Sequence, residues 1–310
     1  MSYDVSVVII SDYKAGDDKS WNDMRKTLTA LREQDYTGRV QYLLIEEERF
    51  ANAIPEDVKA ILPDLEIKLG QGESSYELAN EGVEAAAADL VVLLDADCTP
   101  SAGWLSSYME AAAARPDAAV ISGRTRYPDF GFTARCLALL SRGYVDAGGR
   151  DTTHHISNNN AGYRRDAYLA HPLPTNAGVY AARLQADAMT RAGLTLLFEP
   201  GMDVIHDYEG WAMERDARRY TGWGSVTVRK LEPRTPYAWM VRLGVLGVPV
   251  LVLSRLLQSL WLSTTLGRHY GIRLWQLPAA WALASYVHLL EIPGMVRAMT
   301  GQPVGETVYR

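Results

Sequence analysis

Asp95 and Asp97 stand one residue apart at the end of the apolar run Asp89-Leu-Val-Val-Leu-Leu-Asp95-Ala-Asp97-Cys98. A buried strand that delivers Asp-x-Asp to its exposed carboxyl end offers two carboxylates to a hard divalent cation, Mg2+ or Mn2+. Such ions keep several waters and are completed by substrate phosphates. The chemistry served is stabilisation of the charge that develops on a leaving diphosphate. An Asp-Ala-Asp turn also arises from carboxylates accepting backbone N–H groups, so its position at a strand end carries the reading. Ser11-Asp12 and Glu46-Glu47 end two further apolar runs, and His206 follows Glu199-Pro200.

These groups need elements to position them. Val5 to Ser11 reads as a strand covered on both faces, and Ser20 to Gln34 as a helix through Trp21, Met24, Leu28 and Leu31. Val40 to Ile45 and Leu65 to Leu69 are strands, and Ser74 with Glu77 is a capping box opening a helix through Ala88. After the strand that ends at Asp95, Trp104 to Ala114 is helical and Ala118 to Ser122 extended. This alternation predicts a Rossmann-like α/β fold, a mainly parallel sheet flanked by helices, with ligands at the carboxyl ends of the strands. From Phe130 the rhythm shifts to helices and longer loops, among them Ile156 to Arg165. Ala181 to Ala192 reads as a helix, Leu194 to Phe198 as a strand closed by Glu199-Pro200-Gly201, and Trp211 to Leu231 as a long helix.

The chain of 310 residues is 48% hydrophobic and 22% charged, an ordered composition, and its net charge of −6 carries no basic stripe. Nucleic acid is excluded as a partner on that footing. Two cysteines, Cys98 and Cys136, lack metal or disulfide spacing, which fits a reducing compartment. The N-terminus lacks a basic n-region, so the catalytic part is expected in the cytosol. Leu243 to Leu266 and Leu274 to Met295 have the length of membrane spans but contain Arg255, Gln258, His288 and Glu291. Each ionisable group costs roughly 2.5–3.5 kcal/mol at a bilayer centre. Basic residues also flank both ends of the first segment, against the usual charge bias. A helical hairpin in or dipping into the cytoplasmic leaflet is therefore expected, with two true spans or a buried soluble pair as the other arrangements.

The run from Tyr76 through Leu105, with Asn80 on a helix, the strand to Asp95-Ala96-Asp97 and Pro100-x-x-x-Trp104-Leu105, resembles the core of family 2 inverting glycosyltransferases of GT-A fold. Asn159-Asn160-Ala161-Gly162-Tyr163-Arg164-Arg165 and Glu199-Pro200 followed by His206 fall in that family's order, and the likeness covers about residues 4 to 210. The resemblance implies residues 1–125 as the nucleotide-sugar half and 126–235 as the acceptor half, while the apolar composition of 236–310 reads as a hydrophobic helical tail at the membrane. It implies Asp97 as the direct ligand of Mg2+ or Mn2+, Asp95 at the ribose or the metal's water shell, and His206 beside the metal or diphosphate. Ser11, Asp12 and Tyr13 match the base-pocket loop, Glu46 or Glu47 the acid that reads the base, and Asn80, Asn160 and Arg164 further substrate contacts. The family's usual Pro-Thr-Tyr-Asn is here Ile10-Ser11-Asp12-Tyr13, and an Arg often found before the helix Asn is here Ala79.

An inverting transfer needs a carboxylate to accept the acceptor's proton. The family's Glu-Asp pair falls here on Ala181-Ala182, which leaves Asp187 and Asp207 as candidate bases, with Asp166 a further option. Arg215, Arg218, Arg219 and Tyr220 with Trp211 and Trp223 form an Arg and aromatic set suited to a sugar, a lipid diphosphate or a membrane surface. The expected activity is metal-dependent inverting transfer from a nucleotide-diphosphate sugar to a hydroxyl on a polysaccharide, cell-envelope or lipid-linked acceptor. Nucleotidyl transfer on a similar fold, or a binding protein without turnover, are the competing readings.

Overall fold

Val5–Ile10 (β1) is buried along its whole length, odd residues facing one apolar layer and even residues the other. It is central in a sheet that a computed structural model describes over residues 2–11, 21–50, 52–146, 151–157, 159–208 and 210–305. The strand order is β3-β2-β1-β4-β7-β6-β8-β5, where β2 is Val40–Glu47, β3 Leu65–Gly70, β4 Leu90–Asp95, β5 Cys98–Pro100, β6 Ala118–Arg126, β7 Asn160–Arg164 and β8 Thr195–His206. Strands β1 to β4 run parallel, as the apolar runs predict.

Helices cover both faces. On one side α1 (Asn22–Arg32) and α4 (Trp104–Ala114) pack on Val7, Ile9 and Leu94, with the short α2 (Glu56–Lys59) adding Val58. On the other, α3 (Ser75–Ala85), α6 (Arg165–Ala170) and α7 (Ala181–Arg191) cover Val8, Leu43 and Leu93. The expected capping box exists: Ser74 N–H donates to Glu77 Oε2 at 3.0 Å and Glu77 N–H to Ser74 Oγ at 3.3 Å. Helix α3 stops at Ala85, short of Ala88, because Ala87 and Ala88 N–H groups turn to the side chains of Gln41 and Ser6.

Two expectations change. The stretch read as a loop contains β7, an antiparallel strand inserted between β4 and β6. Its Asn and Gly residues have low β-propensity, and burial between two partners outweighs that preference. The strand read as ending at Phe198 resumes beyond Glu199: Gly123 of β6 pairs with Glu199 and Arg124 with Asp203, so Pro200, Gly201 and Met202 form an excursion. Beyond it β8 continues to His206.

Beyond β8 the chain leaves the sheet through α8 (Trp211–Leu231) to a tail of two helices, α9 (Val248–Leu266) and α10 (Leu277–Met299), against which α5 (Phe132–Arg142), from between β6 and β7, also packs. The segments Ala238–Tyr270 and Leu274–Met299 are long and apolar enough to cross a membrane, with mean hydropathies of 1.9 and 1.2. Arg255, His288 and Glu291 turn inward, whereas Arg242, Arg268 and His269 near the segment ends are exposed. Arg255 on α9 makes a bidentate pair with Glu291 on α10, at 2.5 and 2.9 Å, and donates to the Tyr180 hydroxyl at 2.6 Å. Leu246, Trp261 and Trp275 face outward, each at least 70% exposed.

Candidate active site

The Asp95-Ala96-Asp97 turn is pinned from both sides. Ala96 N–H donates to the Ile10 carbonyl at 2.9 Å, and the Thr27 hydroxyl of α1 is shared between the Ala96 and Cys98 carbonyls at 2.9 and 3.1 Å. Strand β5 pairs antiparallel with β8, placing Cys98 opposite His206. His206 Nε2 thereby stands 3.5 Å from Asp97 Oδ2. His206 Nδ1 lies 2.8 Å from the Asp207 carbonyl. A carbonyl only accepts, so Nδ1 carries a hydrogen there, and Nε2 is the ring nitrogen left on the side of Asp97 for a metal to take.

Ligand atoms of Asp97, Cys98 and His206 lie within 4.8 Å of one another. The carboxylate and imidazole fit a divalent cation. The thiol is the softer donor, which hard cations take less readily, and it is already bonded: Cys98 Sγ donates to Asp97 Oδ1 at 3.6 Å and accepts from the Asn159 amide at 3.3 Å. Asp97 is enclosed, its side chain 1% exposed, whereas Asp95 is partly open and lines a cavity of about 290 Å3. That cavity runs from Ile10, Asp95 and His206 past Tyr127, Arg142 and Glu214 to Arg255 and His288 of the tail. The hydrophobic tail is thus part of the wall of the site.

Asp207 lines the same cavity and takes the Lys26 ammonium at 2.6 Å. Asp23 stands beside them; burial first, then Asp207, push its pKa up to about 7, while hydrogen bonding to Asp23 and Lys26 holds Asp207 low. Ser11, Glu46 and Glu47 are buried at the carboxyl ends of β1 and β2, level with Asp95 by register. Glu46 accepts the Glu47 N–H at 2.9 Å, and Glu47 pairs with Arg49. Asp12 and Tyr13 lie outside the described residues.

Several expected contacts sit elsewhere. Asn80 is a tie between helix and loop: its Oδ1 accepts from the Tyr168 hydroxyl at 2.8 Å and Leu173 N–H at 3.1 Å, and its amide donates to the Leu173 carbonyl. Asn160 is fully buried, accepting from Trp104 Nε1 at 2.8 Å and donating to the Met202 and Arg124 carbonyls, so it fastens β7 beneath the site. Arg164 pairs in register with Leu90, at the end of β4 remote from Asp95, because β7 runs antiparallel. Asp187 lies outside the cavity lining, 3.7 Å from Arg183 on its own helix, and Asp166 opens α6 beside Arg164. Of the Arg and aromatic set on α8, Arg218 and Tyr220 line the cavity; Arg219 pairs with Asp216, Arg215 is exposed, and Trp223 donates to the Gln302 carbonyl.

Arg142, Tyr127 and Glu214 were not anticipated. Arg142, the last residue of α5, is a cavity guanidinium whose charge persists against burial, with Asp95 among the groups that favour it. Its Nε–H has no hydrogen-bond partner among the described residues. Tyr127 packs edge-on against His206 with ring centroids 5.7 Å apart. Glu214 accepts from Arg218 Nε at 2.5 Å, and Arg218 reaches the Ser141 hydroxyl at 2.5 Å. No local pattern marks them: Tyr127 directly follows β6, and α5 and α8, which carry Arg142 and Glu214, are oriented by packing on the tail.

The family described as glycosyl transferase family 2 matches residues 7–171, more than half of the chain. Among solved structures, the mannosyltransferase PcManGT from Pyrobaculum calidifontis, in complex with GDP-Man and Mn2+, superposes with a TM-score of 0.62. The superposition covers 98% of this chain and 89% of that one at 14% identity, a likeness of fold that extends into the tail. No curated protein sequence matches the chain.

Proposed function

The chain belongs to glycosyl transferase family 2, and from that premise we propose that it is a metal-dependent inverting enzyme that moves a sugar from a nucleotide-diphosphate donor to a hydroxyl of a cell-envelope or lipid-linked acceptor. The observation that carries the reading is His206 Nε2 facing Asp97 at 3.5 Å beside the cavity that Asp95 lines. In it, residues 1–125 hold the nucleotide, 126–235 receive the acceptor, and the tail rests at the cytoplasmic face of the membrane, peripherally or as a hairpin.

Asp97, His206 and, from the cavity side, Asp95 are the residues to hold the cation. When bound it supplies electrostatic stabilisation to the departing diphosphate. A nitrogen ligand departs from the all-oxygen surroundings Mg2+ prefers, which favours Mn2+. Ser11, Glu46 and Glu47 face the nucleoside end, and Arg142 supplies a guanidinium for the diphosphate or the sugar.

The acceptor oxygen attacks the anomeric carbon on the side opposite the diphosphate. A new carbon–oxygen bond forms as the bond to the diphosphate oxygen breaks, and the electron pair leaves with the diphosphate. The acceptor's proton goes to a carboxylate on the cavity wall. Between the two bases proposed from sequence, Asp207 is the one on that wall.

Calorimetric titration of the full chain with UDP-, GDP- and TDP-sugars, with and without Mn2+, tests the proposal. A Mn2+-dependent heat abolished by Asp97→Ala supports it; equal donor binding with and without the ion removes the metal. NMR of the product's anomeric configuration decides inversion.

A further inference from the structure

The cavity that Asp95 lines does not end at the tail. A second cavity, of about 570 Å3, adjoins it and shares His155, Tyr180, Arg183, Arg255 and Gln258 with it. Arg229 of α8 joins Arg183 and Arg255 in the wall of this second space. Its outer rim is apolar: Tyr237, Val250, Leu253 and Leu257 line it, each between 39% and 57% exposed. The two cavities together lead from the Asp95 and His206 end, past three guanidinium groups, to the outward apolar face of α9.

Among the described residues, two of these three charges have a carboxylate beside them and the third does not. Glu291 neutralises Arg255, and Asp187 lies 3.7 Å from Arg183 but is itself partly exposed. Arg229 donates to two backbone carbonyls, Ser225 at 2.6 Å and Pro236 at 3.0 Å, and no ion pair joins it to a described carboxylate. Burial first, then repulsion from Arg255 and Arg183 against an opposing pull from Tyr180 and Glu291, holds its pKa below the usual arginine value. A half-buried guanidinium beside two others favours an anion that completes it, and a phosphate meets arginine through paired, charge-assisted hydrogen bonds. Hydrocarbon beyond the phosphate finds the apolar rim.

We propose that the junction of the two cavities, at Arg183, Arg229 and Arg255, is the headgroup site of an amphiphilic acceptor: a saccharide joined through phosphate to a hydrocarbon chain. Its sugar occupies the inner cavity, with a hydroxyl toward the Asp95 and His206 end, its phosphate meets the three arginines, and its chain leaves over Val250, Leu253 and Leu257 into the lipid. The assignment rests on the proposed donor site at Asp95 and Asp97, and it adds to that the chemical class of the acceptor and the route by which it enters.

Native mass spectrometry of the full chain in dodecyl maltoside, titrated with farnesyl phosphate, farnesol, inorganic phosphate or phosphatidylglycerol, tests the site. Farnesyl phosphate is expected to bind at least tenfold more tightly than each of the others. Arg229→Gln and Arg183→Gln are each expected to weaken it tenfold or more, and Arg229→Lys to recover part of the loss. Thermal midpoints within a few degrees of the parent chain, together with retained nucleotide binding, certify that the variants fold. Equal affinity for farnesol overturns the phosphate site, equal affinity for inorganic phosphate or phosphatidylglycerol overturns the acceptor, and unchanged binding in both Gln variants overturns the location. Asp95→Asn separates the two readings: it is expected to remove donor binding and leave farnesyl phosphate bound. If no nucleotide sugar binds the parent chain while the arginine dependence persists, the donor reading fails and the amphiphile site stands.

Discussion

Whether a buried carboxylate, imidazole or thiol serves chemistry depends on what else it bonds. Asp97 and His206 face each other through Nε2, with Nδ1 held by the Asp207 carbonyl, whereas Cys98 is committed to Asn159. Cys98→Ala is therefore expected to leave Mn2+ affinity within about threefold, read by calorimetry, while His206→Ala lowers it by about tenfold or more. Arg142→Gln is expected to weaken nucleotide-sugar binding by about 10- to 100-fold, since a hydrogen bond to a charged group is worth about 1.5–3 kcal/mol. His155 makes a different kind of test. Burial, then Arg183, lowers its pKa from 6.5 to about 4, so the folded chain resists a proton that the unfolded chain accepts. Stability from this group is complete above about pH 6.5 and falls as the pH drops toward 4, by on the order of 3 kcal/mol. Urea unfolding from pH 7 to 4.5 should show that slope in the parent chain and a shallower one in His155→Gln.

At the scale of elements, the parts that follow local rules were legible. The capping box at Ser74 and Glu77, the boundaries of α4 and α8, and the parallel strands ending in Ser11, Glu46 and Asp95 follow from periodicity and end signals. Strand β7 was not, because Asn160-Ala161-Gly162 becomes a strand through pairing with β4 and β6. The α8–α10 crossing was equally hidden. A Cβ on Gly294 would lie 1.8 Å from the Arg219 carbonyl oxygen, and one on Gly222 2.0 Å from that of Glu291. These are backbone contacts with no side chain to move aside. Gly294→Ala is expected to force the helices apart and cost about 1–3 kcal/mol or more. A thermal midpoint unchanged from the parent chain would refute the close crossing, and nucleotide binding should fall less than stability, since Asp95 stands on β4.

Across the whole molecule, the tail is both an apolar surface and a wall of the cavity that Asp95 lines. Arg255 and Glu291 satisfy each other and Tyr180 on the inner side, which leaves Leu253, Leu257 and Trp261 facing outward. The full chain is expected to float with anionic phospholipid vesicles, and Leu253→Glu with Leu257→Glu to shift it to the soluble fraction while Mn2+-dependent donor binding persists. Flotation unchanged in that double variant would remove this face from the membrane contact. The order of residues along the chain determined the layered fold and the gathering of acids at strand ends, because burial of β-branched runs and the direction of parallel strands are properties of contiguous segments. Tertiary structure alone decided that Asp95 is partly open and Asp97 enclosed, that the excursion at Pro200–Met202 carries His206 opposite Cys98, and that Arg229 and Arg255 meet near the site. Each of those outcomes depends on groups far apart in sequence held at distances of a few ångströms, which packing fixes and periodicity does not encode.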